Sequence, residues 1–201
     1  MAALKPAFFF LISYLLGSIP FGILIARRHR VDIQQVGSKN IGATNVLRAV
    51  GKKAAIFTLL GDLTKGIAAV LLGKIFFTSP AMPSALGLLA IIGHDWSIFN
   101  RFRGGKGVAT SLGVFLVLAP CPALLALLVW MGVLGISRYV SLASISAAVA
   151  LPPFIFLLSG AGPLFFTSLP AAALLIFKHR SNIQRLMAGT ENRMGKRKKR
   201  T

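Results

Sequence analysis

Carboxylate side chains are scarce in this sequence. Four of them, Asp32, Asp62, Asp95 and Glu191, stand against 23 lysines and arginines, and the formal net charge is +19. No two of the four form the carboxylate pair of general acid–base chemistry, and no order of serine, histidine and acid typical of a hydrolase stands out. Any reaction that this chain catalyses therefore has to rest on groups other than an obvious base.

Cysteine is almost absent. The single residue, Cys121, allows no disulfide within the chain, and no spacing of cysteine and histidine resembles a zinc site. The sequence therefore excludes a disulfide-rich scaffold and gives no sign of a metal.

Charged residues make up only 13% of the chain, whereas 55% of the residues are hydrophobic, and the mean hydropathy is +0.76. This composition is too apolar for an ordinary soluble domain and predicts a polytopic membrane protein. In a soluble protein the basic excess would suggest nucleic acid, but beside apolar spans it favours a membrane surface. We therefore expect membrane lipid as a partner and no nucleic acid.

Long apolar runs predict the membrane spans. Five are clear and lie at about residues 6–26, 54–77, 84–98, 139–158 and 163–177. A sixth, at about 108–136, is ambiguous because Pro120 and Pro122 lie in its middle, so that it is one bent span or two short ones. Two short spans would have about 13 residues each and cover roughly 20 Å, less than the thickness of the hydrocarbon core.

The distribution of basic residues decides between these alternatives. A single crossing at 108–136 would place the basic C-terminal tail outside, whereas two crossings place every basic loop in the cytoplasm. The sequence thus predicts an all-α membrane protein of seven transmembrane helices, with the N-terminus outside and the C-terminus inside. We expect one integral-membrane domain over residues 1–201, with a basic cytoplasmic tail at 192–201.

The first polar island between apolar runs is Gly37–Arg48. Its small residues allow a tight backbone, and its polar groups can converge on an anion. The candidates are Ser38, Asn40, Gly42, Thr44, Asn45 and Arg48. The alternative interpretation is a capped connecting loop, but a plain connector would not need so many amides and a cation beside a membrane.

A second polar island, Gly93–Thr110, repeats this combination of glycine, amide and cation. Gly104, Gly105 and Lys106 directly precede an apolar run that should be helical, so their amides and the ammonium group would form an anion nest at its start. The segment is not a Walker A loop, because Asn100 replaces the first glycine and Gly107 the final serine or threonine.

Other polar residues in the apolar runs have weaker signals. Asp62 and Lys65 lie three residues apart and share a helix face. They either belong to a functional site or act as a pair that holds helices together. His94 lacks a carboxylate at the distance that acyltransferases of the His-x4-Asp type require. His179 and Asn182, at the cytoplasmic end of the last span, would reach the same site, although a lone interfacial histidine is more often a polar anchor.

These segments together resemble the PlsY family, the bacterial glycerol-3-phosphate acyltransferases that use acyl phosphate. The resemblance covers the chain nearly end to end and follows the family's order. It is carried by Gly37–Arg48, by Gly61-Asp-Leu-Thr-Lys-Gly66, by Gly93-His94 with Phe102–Thr110, and by His179–Leu186 followed by Gly189-Thr-Glu191.

The resemblance implies a bacterial inner-membrane enzyme of phospholipid biosynthesis whose active site faces the cytoplasm. It would move a fatty acyl group from acyl phosphate to the 1-hydroxyl of sn-glycerol 3-phosphate, giving lysophosphatidate and phosphate. Transfer would be direct, without an acyl-enzyme, a metal or any cofactor. This agrees with the residues, because an activated anhydride mainly requires alignment and oxyanion stabilisation.

The resemblance also implies the site. Catalytic roles fall to Ser38, Asn40, Arg48, Lys106 and His179, and substrate-binding roles to Gly42, Thr44, Asn45, Gly104, Gly105 and Asn182. Residues of the first island would hold phosphate and carbonyl groups, and Lys106, His179 and Asn182 would hold the glycerol phosphate. Two positions depart from the family's usual pattern, since Lys39 replaces a glycine and Ser97 a proline.

Two other functions compete with this one. A small anion or phospholipid transporter would also have glycine-interrupted spans and charge in the membrane, but it would show related halves, and this chain has no evident repeat. A lipid phosphatase would need a nucleophilic histidine or carboxylate constellation that the sequence lacks.

Overall fold

The computed structural model describes residues 4–195, and within that part of the chain the backbone forms helices and turns without a strand. A single turn of 3₁₀-helix, Ile98–Asn100, precedes the second polar loop. The α-helices are α1 (Leu4–Ser18), α2 (Phe21–Arg28), α3 (Ala43–Ala49), α4 (Lys52–Phe76), α5 (Ala81–Asp95), α6 (Val108–Leu118), α7 (Pro120–Ser137), α8 (Val140–Ser159), α9 (Pro163–Lys178) and α10 (Arg180–Met187). The all-α prediction is confirmed.

Among the described residues, five helical stretches are long and apolar enough to cross a bilayer. They are Leu4–Arg28, Lys52–Phe76, Ala81–Asn100, Pro120–Ser137 and Val140–Ser159. The helices α6 and α9 are apolar but shorter, and at 1.5 Å per residue they extend only about 17 and 24 Å. Every predicted apolar run is therefore largely helical, while seven crossings remain a prediction.

The ambiguous run at 108–136 is divided, as predicted, into two helices. Ala119 leaves helical geometry with φ −148° and ψ 72°, and Pro120 begins α7. A proline ring has no N–H for the preceding turn but fits the first turn of a new helix. The halves have 11 and 18 residues rather than about 13 each, because the break falls directly before Pro120.

The first predicted span, residues 6–26, is broken into α1 and α2 rather than continuous. Ile19 and Pro20 lie between the two helices, because Pro20 cannot donate a hydrogen bond to the preceding turn. The Lys65 ammonium donates to the Ile19 carbonyl oxygen at 2.9 Å. A side chain of α4 therefore satisfies a carbonyl that the break leaves without its helical partner.

The chain divides into two compact units, one ending at Pro120 and the other beginning at Cys121. In the N-terminal unit, α4 packs against α5 and α6, and α1 packs against α5. A Cβ on Gly66 would overlap the Thr110 carbonyl oxygen, and one on Gly17 would overlap the backbone of Ala90. Glycine at these crossings lets the helices approach closely, which is how helices associate within a membrane.

In the C-terminal unit, α8 packs against α9, and α10 contacts both. The beginning of the predicted basic tail is attached to the turn between α7 and α8. Arg193 Nε donates to the Tyr139 hydroxyl at 2.9 Å, and the Met194 amide donates to the Arg138 carbonyl oxygen at 2.7 Å. The rest of that tail, residues 196–201, lies outside the described residues.

Candidate active site

The first loop, residues 37–42, is shaped by the side chain of Asn45. Its Oδ1 accepts from the Ser38 amide at 3.0 Å, and its Nδ2 donates to three backbone carbonyls between 2.9 and 3.1 Å away, those of Ile33, Val36 and Asn40. The residue is only 1% exposed. Asn45 therefore points into the loop and fixes its path, so its carboxamide is engaged by the backbone.

The remaining polar candidates of this island lie nearer the surface. Ser38, Asn40 and Thr44 are half-buried, and Arg48 is exposed. Gly42 precedes α3, which has only seven residues, so its dipole is small and the side chains have to supply most of the attraction for an anion. A serine hydroxyl, an amide, a threonine hydroxyl and a guanidinium are all suitable donors to phosphate.

Lys39, at the position where the family usually has glycine, adopts a left-handed backbone with φ 57°. That region costs an L-residue roughly 1–2 kcal/mol, whereas glycine enters it freely. The side chain is exposed, so the loop keeps a turn suited to glycine and gains an additional cation at its surface.

The second loop, residues 103–107, lies on the C-terminal end of α5. The Gly105 amide donates to the His94 carbonyl oxygen at 3.0 Å, and the Asn100 side chain donates to the Arg103 carbonyl oxygen. Gly107 has φ 72° and directly precedes α6, which confirms the predicted loop before a helix. Lys106 is half-buried between these anchored residues.

Both polar islands contact the chain beside the break between α1 and α2. On the first-loop side, α2 approaches so closely that a Cβ on Gly22 would overlap the Ile41 carbonyl oxygen. On the α1 side of the break, the Ser97 hydroxyl of the second island donates to the Ser18 carbonyl oxygen. The Tyr14 hydroxyl of α1 donates to the Trp96 carbonyl oxygen at 2.7 Å. The tertiary structure therefore brings the two polar islands to the same end of the N-terminal unit.

The bond from Ser97 also explains how serine replaces the family's usual proline. Ser97 has φ −66°, a value that a proline ring would fix by itself. Serine retains the backbone angle and adds the hydrogen bond to α1.

A cavity of about 260 Å³ opens beside the same break. Its lining is mainly apolar, with Arg27 and Asn100 as the polar members: Ile19, Pro20, Ile23, Leu24, Arg27, Phe99 and Asn100. Its walls are suited to an alkyl chain and its guanidinium to an anionic group.

His179 and Asn182 lie in the C-terminal unit, at the junction of α9 and α10. His179 is 3% exposed, and its Nδ1 lies 2.8 Å from the Leu175 carbonyl oxygen. Because a carbonyl oxygen only accepts, Nδ1 carries the hydrogen, and in the neutral ring Nε2 carries the lone pair. The backbone N–H of Asn182 donates to the His179 carbonyl oxygen at 2.8 Å, which links the two residues at the turn between α9 and α10.

Glu191 has a positioning role that the sequence reasoning did not assign. Its Oε1 accepts from Asn182 Nδ2 at 2.8 Å and from the Ser141 hydroxyl at 3.0 Å, and its Oε2 accepts from Arg185 Nε at 2.7 Å. Burial alone would raise the pKa of Glu191, but the hydrogen bonds from Asn182, Arg185 and Ser141 outweigh burial and lower it. A signal in the sequence that could have identified Glu191 is that it is the one acidic residue after Asp95.

Asp62 and Lys65, which the spacing places on one helix face, form an ion pair, with 3.0 Å between Asp62 Oδ1 and Lys65 Nζ. Elsewhere in residues 4–195 no group of three histidine, cysteine or acidic side chains is arranged to hold a metal ion. The two polar islands contain cations, amides and hydroxyls, which are groups suited to binding an anion.

Comparison with known proteins supports this description. A family model described as glycerol-3-phosphate acyltransferase matches residues 7–189. Among the relatives with that name, one from Geobacter metallireducens is 52% identical and one from Geotalea daltonii 49% identical, each over 90% of this chain and 93% of its own. The relative from Thermus thermophilus is 46% identical over 93% of this chain and 94% of its own.

Two solved structures are also similar. They are crystal structures of PlsY, an integral membrane glycerol 3-phosphate acyltransferase, in a glycerol 3-phosphate form and a lysophosphatidic acid form. Each is 42% identical and covers 95% of this chain and 96% of its own, with TM-scores of 0.90 and 0.88. The chain therefore belongs to the PlsY family of glycerol-3-phosphate acyltransferases.

Proposed function

We propose that this protein transfers a fatty acyl group from acyl phosphate to the 1-hydroxyl of sn-glycerol 3-phosphate, giving lysophosphatidate and inorganic phosphate. Family membership supports the acceptor, since solved relatives are described in a glycerol 3-phosphate form and a lysophosphatidic acid form. The acyl-phosphate donor is inferred from the motifs. The observation that carries the proposal is that two polar islands, each containing glycines and a cation, contact the chain on either side of one helix break, through Ile41 at Gly22 and through Ser97 at Ser18.

Both substrates are phosphate-bearing anions, so the main task is to bring them together against their repulsion. We assign the donor phosphate and the carbonyl oxygen to Ser38, Asn40, Thr44 and Arg48, on the first loop and α3. The backbone at Gly42 approaches the ligand, and Asn45 holds the loop in shape. These donors would stabilise the oxyanion that develops on the carbonyl oxygen during attack.

We assign the acceptor phosphate to Lys106 and to the amides of Gly104 and Gly105. His179 and Asn182 keep the role in acceptor binding that the resemblance implies, and Glu191 orients Asn182. The 1-hydroxyl oxygen bonds to the carbonyl carbon, the bond from that carbon to the phosphate oxygen breaks, and phosphate leaves with the electron pair. The hydroxyl proton passes to a phosphate oxygen of the substrates.

Transfer is proposed to be direct, without an acyl-enzyme on Ser38. No histidine or carboxylate lies within Gly37–Arg48 to activate that hydroxyl, and the donor is already an activated anhydride. An acyl-enzyme would move labelled phosphate into acyl phosphate in the absence of glycerol 3-phosphate. We expect no such exchange, and exchange at a rate near turnover that disappears in Ser38→Ala would overturn direct transfer.

For the membrane arrangement, we propose seven crossings with the N-terminus outside and the C-terminus and both loops in the cytoplasm of a bacterial inner membrane. The support is the distribution of lysine and arginine, which leaves the turns near Ser79, Cys121 and Gly160 without a basic residue.

Purified protein in detergent, given acyl phosphate and glycerol 3-phosphate, should release phosphate and form lysophosphatidate. Replacing acyl phosphate by acyl-CoA should give no product, which tests the donor separately from the acceptor. If no transfer occurs but reconstituted vesicles take up phosphate or glycerol 3-phosphate, the transporter is the correct alternative.

A further inference from the structure

A buried polar cluster lies in the N-terminal unit, outside the roles assigned so far. Asp62, Lys65 and His94 are each at most 4% exposed. Charged side chains inside a membrane protein are costly to bury and persist where they are paired or functional. The contacts of this cluster indicate what it supports.

The cluster begins at the break between α1 and α2. Lys65 Nζ donates to the Ile19 carbonyl oxygen at 2.9 Å and lies 3.0 Å from Asp62 Oδ1. The same carboxylate oxygen lies 3.4 Å from His94 Nδ1, which is longer than a typical hydrogen bond but still a direct contact. The imidazole is thus held from α4 on the side of its Nδ1.

The other side of the imidazole faces the second loop. A Cβ on Gly105 would overlap His94 Nε2, and one on Gly104 would overlap the His94 carbonyl oxygen. The Gly105 amide also donates to that carbonyl at 3.0 Å. The loop backbone therefore lies directly on His94, and a side chain at either glycine would force the loop or the imidazole to move.

We propose that His94 is a positioning residue for the second loop and that Asp62 fixes its ring. The chain of contacts runs from the Ile19 carbonyl through Lys65, Asp62 and His94 to Gly105, the residue before Lys106. Movement of the ring would therefore displace the cation assigned to the acceptor phosphate. The inference rests on the proposed function, because it assumes that this loop binds glycerol 3-phosphate.

The test uses two changes at the ring and one at its support. His94→Ala removes the surface beneath Gly105, and His94→Phe keeps a ring but removes the pairing with Asp62. We expect the KM for glycerol 3-phosphate to rise about tenfold or more in both, while the KM for acyl phosphate stays within about twofold of wild type. If both changes at His94 prevent folding, Asp62→Asn, which keeps the side-chain shape, should show the same selective rise to a smaller extent.

A merely structural role would give a different pattern. It would lower the active fraction, and hence the apparent kcat, without a selective change in either KM. Lys74→Met is the matched control, since it removes a bond from Lys74 Nζ to the Val117 carbonyl oxygen at 2.9 Å in the same unit, and it should leave both KM values unchanged. If a folded His94 variant has an unchanged KM for glycerol 3-phosphate, His94 does not affect the binding of glycerol 3-phosphate by the second loop. If neither His94 variant folds, an unchanged KM in a folded Asp62→Asn variant has the same meaning.

Hydrogen–deuterium exchange of residues 103–107 tests the support without any substrate. Exchange should be faster in the His94 variants than in the wild type and in Lys74→Met. If neither His94 variant folds, Asp62→Asn should show the faster exchange instead. Equal exchange in the variant and the wild type overturns the positioning role itself. If the wild type shows no transfer to glycerol 3-phosphate, the proposed function fails, and exchange alone then decides whether His94 supports the loop.

Discussion

Asn45 provides a sharp test, because sequence and structure give it different roles. The motif resemblance makes it a substrate-binding residue, whereas its side chain makes four contacts with the backbone of residues 33–40. Asn45→Ala should therefore reduce stability as well as activity. A direct ligand contact would affect substrate binding alone.

The magnitude follows from these contacts. An amide nitrogen has two hydrogens, so the three donated contacts count as two full hydrogen bonds, and the accepted bond from Ser38 makes a third. At about 1 kcal/mol net for each bond, the loss is roughly 3 kcal/mol. For a chain of this length that corresponds to a decrease of roughly 6 to 12 °C in the midpoint of thermal unfolding.

The assay is thermal unfolding in detergent together with steady-state kinetics. Thr44→Ala, a change at a half-buried candidate on the same island, should weaken substrate binding with little loss of stability. Gln35→Ala, at an exposed site before the loop, should change neither. If Asn45→Ala unfolds at the wild-type temperature and only its KM rises, the inward role of Asn45 is refuted.

Three other predictions follow from the site and the membrane arrangement. Arg48→Ala and Lys106→Ala should each lower kcat/KM by about 10- to 150-fold in a folded protein, since each removes a charge-assisted contact of roughly 1.5–3 kcal/mol; near wild-type turnover would cancel that residue's assignment. In sealed vesicles of native orientation, Lys39→Cys on a Cys121→Ser background should resist an impermeant thiol reagent added outside, and labelling would overturn the topology. Because the folded-state pKa of Glu191 is lowered, its ionised form stabilises the fold above the ordinary glutamate pKa of about 4.3, and this is lost as pH falls through the folded-state value. Glu191→Gln should unfold at a lower temperature at neutral pH and lack that acid-side loss, and an unchanged pH profile would contradict the role given to the carboxylate.

Local signals in the sequence were sufficient for the class of protein and for most of its elements. Apolar runs predict the helices, and the proline at position 120 predicts where one of them divides. The break at Pro20 was missed, although the same rule applies to it, because the surrounding run is uniformly apolar. Hydropathy and proline act within a few residues of the chain, so they are readable without knowledge of the fold.

The composition of the two polar islands by itself also indicates an anion site. The direction of each side chain was not readable in this way. Asn40 and Asn45 have the same chemistry and are five residues apart, yet Asn45 is fully buried and bonded to the loop, whereas Asn40 is half-buried. Which amide points inward depends on how residues 33–40 fold around the beginning of α3, where all four contacts of Asn45 are made.

The same reason explains why the sequence did not reveal the roles of Glu191 and His94. From sequence, each was part of a motif without a role. Ser141, one of the three partners of Glu191, lies 50 residues from it, and Asp62, the partner of His94, lies 32 residues from it. The sequence determined which groups were available: few carboxylates, many cations, and glycines where backbones meet. Only the tertiary structure decided which of them support the loops, because burial and hydrogen-bond geometry depend on helices that pack together from separate parts of the chain.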